Sequence, residues 1–238
     1  MASRTDSRWH VEPVSAKLRL PRFAAALELQ RPERGLHAIT VDGDSLDDTQ
    51  LLAVELASSG VAHQASSELP TLLDSFARGD DIAVTYAERP QPEMQTQVYW
   101  RAHQPAGAIA AVELLVSVQT GLLDSCPHVS TSSRLVEGEV LPLENVAAPG
   151  ATLFRLRGGK LSYAEVAHPS GDCVSDVHRA NSAQGTAHIS HRLFQDRLEK
   201  GVILRARVLG VLIDQADDER LATRLLAEFL RTPMPLTT

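Results

Sequence analysis

Between Asp81 and Asp214 the chain offers seven runs rich in β-branched and aromatic residues, and only the stretch after Asp217 repeats at helical spacing. The runs are DIAVTYAE, TQVYWRAH, AIAAVELLVSVQT, ATLFRLRGG, KLSYAEVAH, GTAHISHRLF and KGVILRARVLGVLID, most of them bounded by Gly, Pro, Asp or Ser. Such runs read as strands. Strands that follow one another without helices between them argue against βαβ repetition, in which each parallel pair needs a helical crossover. The fold class expected is mainly β: a large antiparallel β-sandwich with one C-terminal α-helix.

Upstream, FAAALELQRPERGLHAITVDGDSL places two β-like runs, Ala25 to Leu29 and Leu36 to Val41, around RPERG, whose Pro and Gly supply turn geometry. QLLAVEL, Gln50 to Leu56, fits a strand or a helical turn, because short apolar runs do not separate the two. SSELPTLLDSFARGDD, 66–81, is less periodic and reads as loop with a short strand. FRLRGGKLSYAEV is the cleanest second hairpin, with Gly158 and Gly159 placed for positive φ. In DDERLATRLLAEFLRTP, Leu221, Leu225, Leu226, Phe229 and Leu230 recur at helical spacing, acidic residues crowd the start and Pro233 follows the end, which predicts a helix over 217–231. Its apolar stripe is expected to cover a sheet face or edge. Residues 1–20 read as an N-terminal extension and 21–238 as one domain, since 238 residues with 43% hydrophobic content can bury a sizeable core.

A formal charge of −7 argues against a general nucleic-acid binder, which needs a concentrated positive surface. No apolar run approaches the roughly 18 residues of a membrane span. MASRTDSRWHVEP lacks the apolar core of a secretory signal, so a cytoplasmic location is expected. Cys126 and Cys173 lie too far apart to build a closely spaced metal motif, and reduced thiols are the expectation. No Walker loop, dinucleotide fingerprint, zinc-protease motif or full calcium loop is present, and no cofactor or metal is expected. DGDSLDD, Asp42 to Asp48, reads as an acidic hairpin loop.

The opening segment FAAALELQRPERGLHAITVDGDSL, followed by a strand-rich body, resembles the galactose-mutarotase-like supersandwich family of sugar-active and sugar-binding domains. The resemblance implies a supersandwich-like fold and a carbohydrate ligand. The asparagine-histidine motif and the catalytic histidine and glutamate pairing of aldose epimerases are not evident, so no catalytic residue is carried over from the family.

The candidate ligand contacts come from the strands themselves. With a period of two, Val98 and Trp100 enter the core, while Gln97, Tyr99, Arg101 and His103 line the opposite face. That face offers a phenol, an amide, a guanidinium and an imidazole, the mixture of flat contact and directional hydrogen bonding that sugars need. The bland reading is a solvated or covered strand face. In TAHISHRLF, His188, Ser190 and Arg192 share one face, and His191 falls on the other, where it reads as a hydrogen-bonded core or interface histidine. His188 and His191 point apart in a strand, which argues against a shared metal. Arg205 and Arg207 share a face about 7 Å apart, a spacing suited to an anionic ligand or to pairing with a neighbour such as Glu165. His168, close to Asp172 and Ser170, is a candidate base, and Glu199 a second one, although turn roles explain these positions equally well.

Taken together, Tyr99, Arg101, His103, His188, Arg192, Arg205 and Arg207 are expected to wall a concave polar face that binds a sugar, including one with negative groups. An epimerase-like or lyase-like enzyme using His168, His188 or Glu199 is the alternative, and enzyme activity is left open. A third reading is an assembly protein, self-association included, whose polar faces are buried between subunits. No nucleic-acid or membrane partner is expected.

Overall fold

The computed structural model describes residues 8–57, 70–87, 94–148, 150–169, 173–179 and 185–234. A first sheet of five strands is a meander of β1 (Trp9–Val11), β2 (Ser15–Arg19), β3 (Phe23–Glu28), β4 (His37–Val41) and β5 (Asp44–Ser45). Next in the chain come β6 (Gln50–Ala57), β7 (Thr71–Arg78), β8 (Asp81–Ala87), β9 (Met94–His103) and β10 (Ala108–Thr120). They are followed by β11 (His128–Leu135), β12 (Gly138–Pro142), β13 (Thr152–Leu156) and β14 (Leu161–Ala167). The last strands are β15 (Val174–Arg179), β16 (Ala187–Arg192) and β17 (Ile203–Asp214), before the helix α1 (Asp218–Arg231). Eight strands form the large sheet in the order β12-β13-β14-β17-β10-β9-β8-β7, and four form the third in the order β15-β16-β11-β6.

Residues 8–19, read from sequence as an extension, carry β1 and β2, and Trp9 is part of the core. RPERG becomes a single 3-10 turn, Pro32–Arg34, inside the β3–β4 hairpin, and Gly158 and Gly159 take φ of 104° and 71° between β13 and β14. The stretch 66–81, expected to be mostly loop, holds the eight-residue β7. Its local pattern misleads because β7 is the edge of the large sheet and most of its side chains stay exposed.

One apolar core joins Leu18 and Leu27 of the first sheet, Trp100 and Val112 of the large sheet, and Val129 and Ile189 of the third. β9 alternates without a break, with Met94, Thr96, Val98, Trp100 and Ala102 buried and the residues between them half-exposed. β10 and β17 instead bury both faces, which is why their sequences read as continuous apolar runs. Their second face meets α1, whose Ala222, Leu225, Leu226 and Phe229 pack with Leu153, Val166, Leu209 and Val211. Buried ring donors find acceptors: Trp100 Nε1 donates to Leu52 O at 3.2 Å and Tyr86 Oη to Leu29 O at 2.8 Å. Among the described residues no helix is long and apolar enough to cross a membrane.

α1 is fastened at its start by one carboxylate. Asp218, 2% exposed, accepts from Arg155 Nε at 2.8 Å, Arg155 Nη2 at 2.9 Å and Ser162 Oγ at 2.7 Å. The Arg155 guanidinium, opposed by desolvation, holds this carboxyl below its ordinary range. A depressed folded-state pKa contributes stability above the unfolded value of about 4 and loses it as pH falls through the folded value. Asp218→Asn is therefore expected to cost about 1.5–3 kcal/mol at pH 7. In thermal melts the gap between variant and wild type should close towards pH 2; a gap that stays constant with pH would rule out the charged tether.

Candidate functional site

The outer face of the large sheet carries polar residues in three cross-strand rows. Across β9, β10 and β17, Arg101 lies opposite Glu113 and Leu209, Tyr99 opposite Leu115 and Arg207, and Gln97 opposite Ser117 and Arg205. α1 covers the β13–β14–β17 side of this face and stops short of β9. Between the helix and the strands lies an open cleft of about 600 Å³.

One wall of the cleft is apolar, made by Leu225 and Phe229 of α1 above Leu209 and Val211 of β17. The other is polar, made by Arg101, His103, Glu113 and Arg207, with Arg8 and Asp80 at the rim. Each cation in it has an anion. Arg101 is bidentate on Asp81, Nε to Oδ1 at 2.8 Å and Nη2 to Oδ2 at 2.9 Å, and Arg8 Nε lies 3.2 Å from Asp80 Oδ1. Arg207 Nε donates to Glu113 Oε1 at 2.6 Å, with both side chains nearly buried.

Arg207 also ties down the end of α1. Its Nη1 donates to Thr232 O at 3.0 Å and Pro233 O at 3.1 Å, its Nη2 to Thr232 Oγ1 at 3.1 Å, and the guanidinium sits 4.5 Å from the Phe229 ring centroid. His103, on the same face, has its pKa lowered by burial, with Glu113 acting against the shift. Its imidazole is therefore neutral at pH 7.

The structure brings Tyr99, Arg101, His103, Arg205 and Arg207 to one face and leaves the other candidates elsewhere. β16 belongs to the four-stranded sheet, where His188 and Arg192 point outward and are exposed, so they do not share the concave face expected of them. Glu165 is no partner of Arg205 or Arg207, because β14 turns it to the inner side of the large sheet. Glu199 is exposed in the turn before β17, its carbonyl accepting from Val202 N at 3.0 Å. His168 is buried behind the cleft, Nε2 donating to Leu230 O at 3.2 Å and its ring edge against Phe229. Asp172 and Ser170, the neighbours that suggested a base, lie outside the described residues.

A histidine and a carboxylate do meet, in the sealed interior. His191 Nε2 donates to Glu165 Oε1 at 2.9 Å, and the Ser175 hydroxyl lies 2.8 Å from His191 Nδ1. Glu165 Oε2 accepts from Ser133 Oγ at 2.5 Å and from the Tyr163 hydroxyl. Burial pushes the Tyr163 phenol well above its ordinary range, with Glu165 adding to the shift. Glycine is required opposite it: a Cβ on Gly210 would stand 2.3 Å from the Tyr163 oxygen. Glu165 and His191 are both 0% exposed, so this network is a polar rivet between sheets.

Glu113, Asp81 and Phe229 were not singled out from sequence as site residues. Glu113 had a signal, being the single charged residue in AIAAVELLVSVQT. Among the described residues no group of His, Cys, Asp and Glu could hold a metal ion, and Cys126 and Cys173 are not joined in a disulfide.

No protein-family model matches the sequence, and no curated protein matches it. Solved structures do. A protein assigned as a kojibiose phosphorylase from the human microbiome aligns with a TM-score of 0.54 at 7% identity, over 95% of this chain and 37% of the other. Heparan sulfate lyase HepC from Pedobacter heparinus aligns at 0.51 and 7% identity, over 88% of this chain and 37% of the other. A protein assigned as a mutarotase from Salmonella typhimurium aligns at 0.49 and 9% identity, over 86% and 95% of the two chains. The chain thus spans little more than a third of the phosphorylase and the lyase, and what it shares with them is the antiparallel β-sandwich fold.

Proposed function

We propose that the cleft between α1 and the β9–β10–β17 face binds a carbohydrate. The observation that carries this reading is the pairing of an apolar wall at Phe229 and Leu225 with hydrogen-bonding groups at Arg101 and His103, in a space of about 600 Å³. A pyranose has the matching surfaces, an apolar ring face and an equator of hydroxyls, and ligand sites of this size are common. The phosphorylase and the lyase that share the fold have names that place a sugar in their chemistry, which supports the same class of ligand here. Arg8, Arg101 and Arg207 each hold a carboxylate already, so the cleft is balanced in charge and suits hydroxyl recognition. A sugar bearing an acid group would compete with Asp81 for Arg101.

The test is a glycan array with the wild type and Arg101→Ala. Arg101 is partly exposed, so the variant is expected to fold, and losing hydrogen bonds from a charged donor should weaken binding about tenfold or more. Selective binding lost in a folded variant supports the reading; a wild type that binds no glycan sinks it. An enzyme reading rests on His103, whose neutral ring is the form a general base needs. On whichever sugar binds, epimerisation or elimination should then vanish in His103→Ala, a loss far larger than the weakening of binding.

A further inference from the structure

Two residues beyond Tyr99 on the same face, away from the cleft, lies a second hollow of about 270 Å³. Its lining is mostly hydrogen-bonding side chains, Gln95 and Gln97 of β9, Ser117 and Gln119 of β10, Thr85 of β8 and Arg205 of β17, with Val118 and Ile203 completing it. Within it Gln119 Nε2 donates to Gln95 Oε1 at 3.0 Å, and Tyr99 Oη donates to Gln97 Oε1 at 2.7 Å. These bonds leave Gln95 Nε2 and Gln119 Oε1 able to serve a ligand.

Ser117 is the telling residue. It is 7% exposed, its register places it between Gln97 and Arg205, and its Oγ has no hydrogen-bond partner. Buried hydroxyls are nearly always satisfied, and one left unmet in the floor of a polar hollow marks where an incoming group belongs. A sugar hydroxyl, donor and acceptor in one atom, meets that need.

We infer that this hollow is a second sugar subsite, so that the ligand is an oligosaccharide lying along the strands rather than a single ring. The inference rests on the cleft reading above and extends it. Gln97 and Arg101 stand four residues apart on β9, about 13 Å, a span for more than one pyranose. Tyr99, half-exposed between them, is placed to lie under the linkage. The amides of the second hollow then recognise hydroxyls, and the apolar wall of the first receives a ring face.

Calorimetric titration tests this with glucose, galactose and mannose and their linear di- to tetrasaccharides, against wild type, Arg101→Ala, Ser117→Ala and Gln119→Ala. Gln119 is exposed, so its variant guards against a folding defect at Ser117. Affinity is expected to rise at least tenfold from the monosaccharide to the tetrasaccharide of the preferred series. Ser117→Ala and Gln119→Ala should each lose several-fold of the tetrasaccharide affinity and leave the monosaccharide unchanged, while Arg101→Ala weakens both. A monosaccharide that binds with no gain on lengthening, or a monosaccharide affinity that falls in Ser117→Ala, overturns the subsite and leaves sugar binding standing. Absence of binding at every length overturns the cleft reading and the subsite with it.

Discussion

Glu165→Ala is expected to lower unfolding free energy by about 3–5 kcal/mol. The carboxylate gathers donors from three strands: His191 of β16, Ser133 of β11 and Tyr163 of its own strand β14. All of them are at most 2% exposed, so water cannot replace what is removed. Each orphaned buried donor costs about 1–3 kcal/mol. Gly210 packs against the Tyr163 hydroxyl and denies it a sideways escape. Glu165→Gln, which keeps an acceptor oxygen, should cost less. Urea unfolding followed by tryptophan fluorescence measures both, and a loss under about 1 kcal/mol for the alanine variant would mean that the interior relaxes around the gap.

Arg207→Ala is expected to cost a similar amount, about 3–5 kcal/mol, by a different route. It leaves Glu113 charged and buried without a partner, frees the carbonyls of Thr232 and Pro233, and removes the cation from Phe229. The end of α1 should then loosen, visible as faster amide exchange over its last turn while the Asp218 end stays protected. A double-mutant cycle with Glu113→Gln isolates the pair. If Arg207→Ala costs as much in the Glu113→Gln background as in the wild type, the ion pair is not what holds this end of the helix.

Local periodicity made part of this legible. The alternation of β9, the glycine pair between β13 and β14, and the apolar stripe of α1 are each written within a dozen residues, and each is found where it was read. The cleft was half legible: Tyr99, Arg101 and His103 share a face because two-residue alternation requires it. What could not be read is which strands adjoin. Arg207 meets a glutamate 94 positions away, and nothing near either residue announces the other. Polar alternation looks the same whether a face lines a cleft or meets open solvent, so β16 with His188 and Arg192 imitated β9. Glu165 was misdirected for the same reason. Alternation says that Tyr163 and Glu165 share a face, and only the sheet's partners say that the face is the inner one.

The place of β17 bears on how the chain comes together during synthesis. Of the described strands it is made last, yet it lies between β14 and β10 and is the seam joining the two halves of the large sheet. Until Ile203–Asp214 has left the ribosome, β10 with β9, β8 and β7 and β14 with β13 and β12 are two partial sheets, each with an apolar edge awaiting the same strand. Non-local closure of this kind is slow, and unpaired edges are where nascent chains stick to one another. A ribosome that stalls before residue 203 would therefore hold a chain with its hairpins formed and its largest sheet still open.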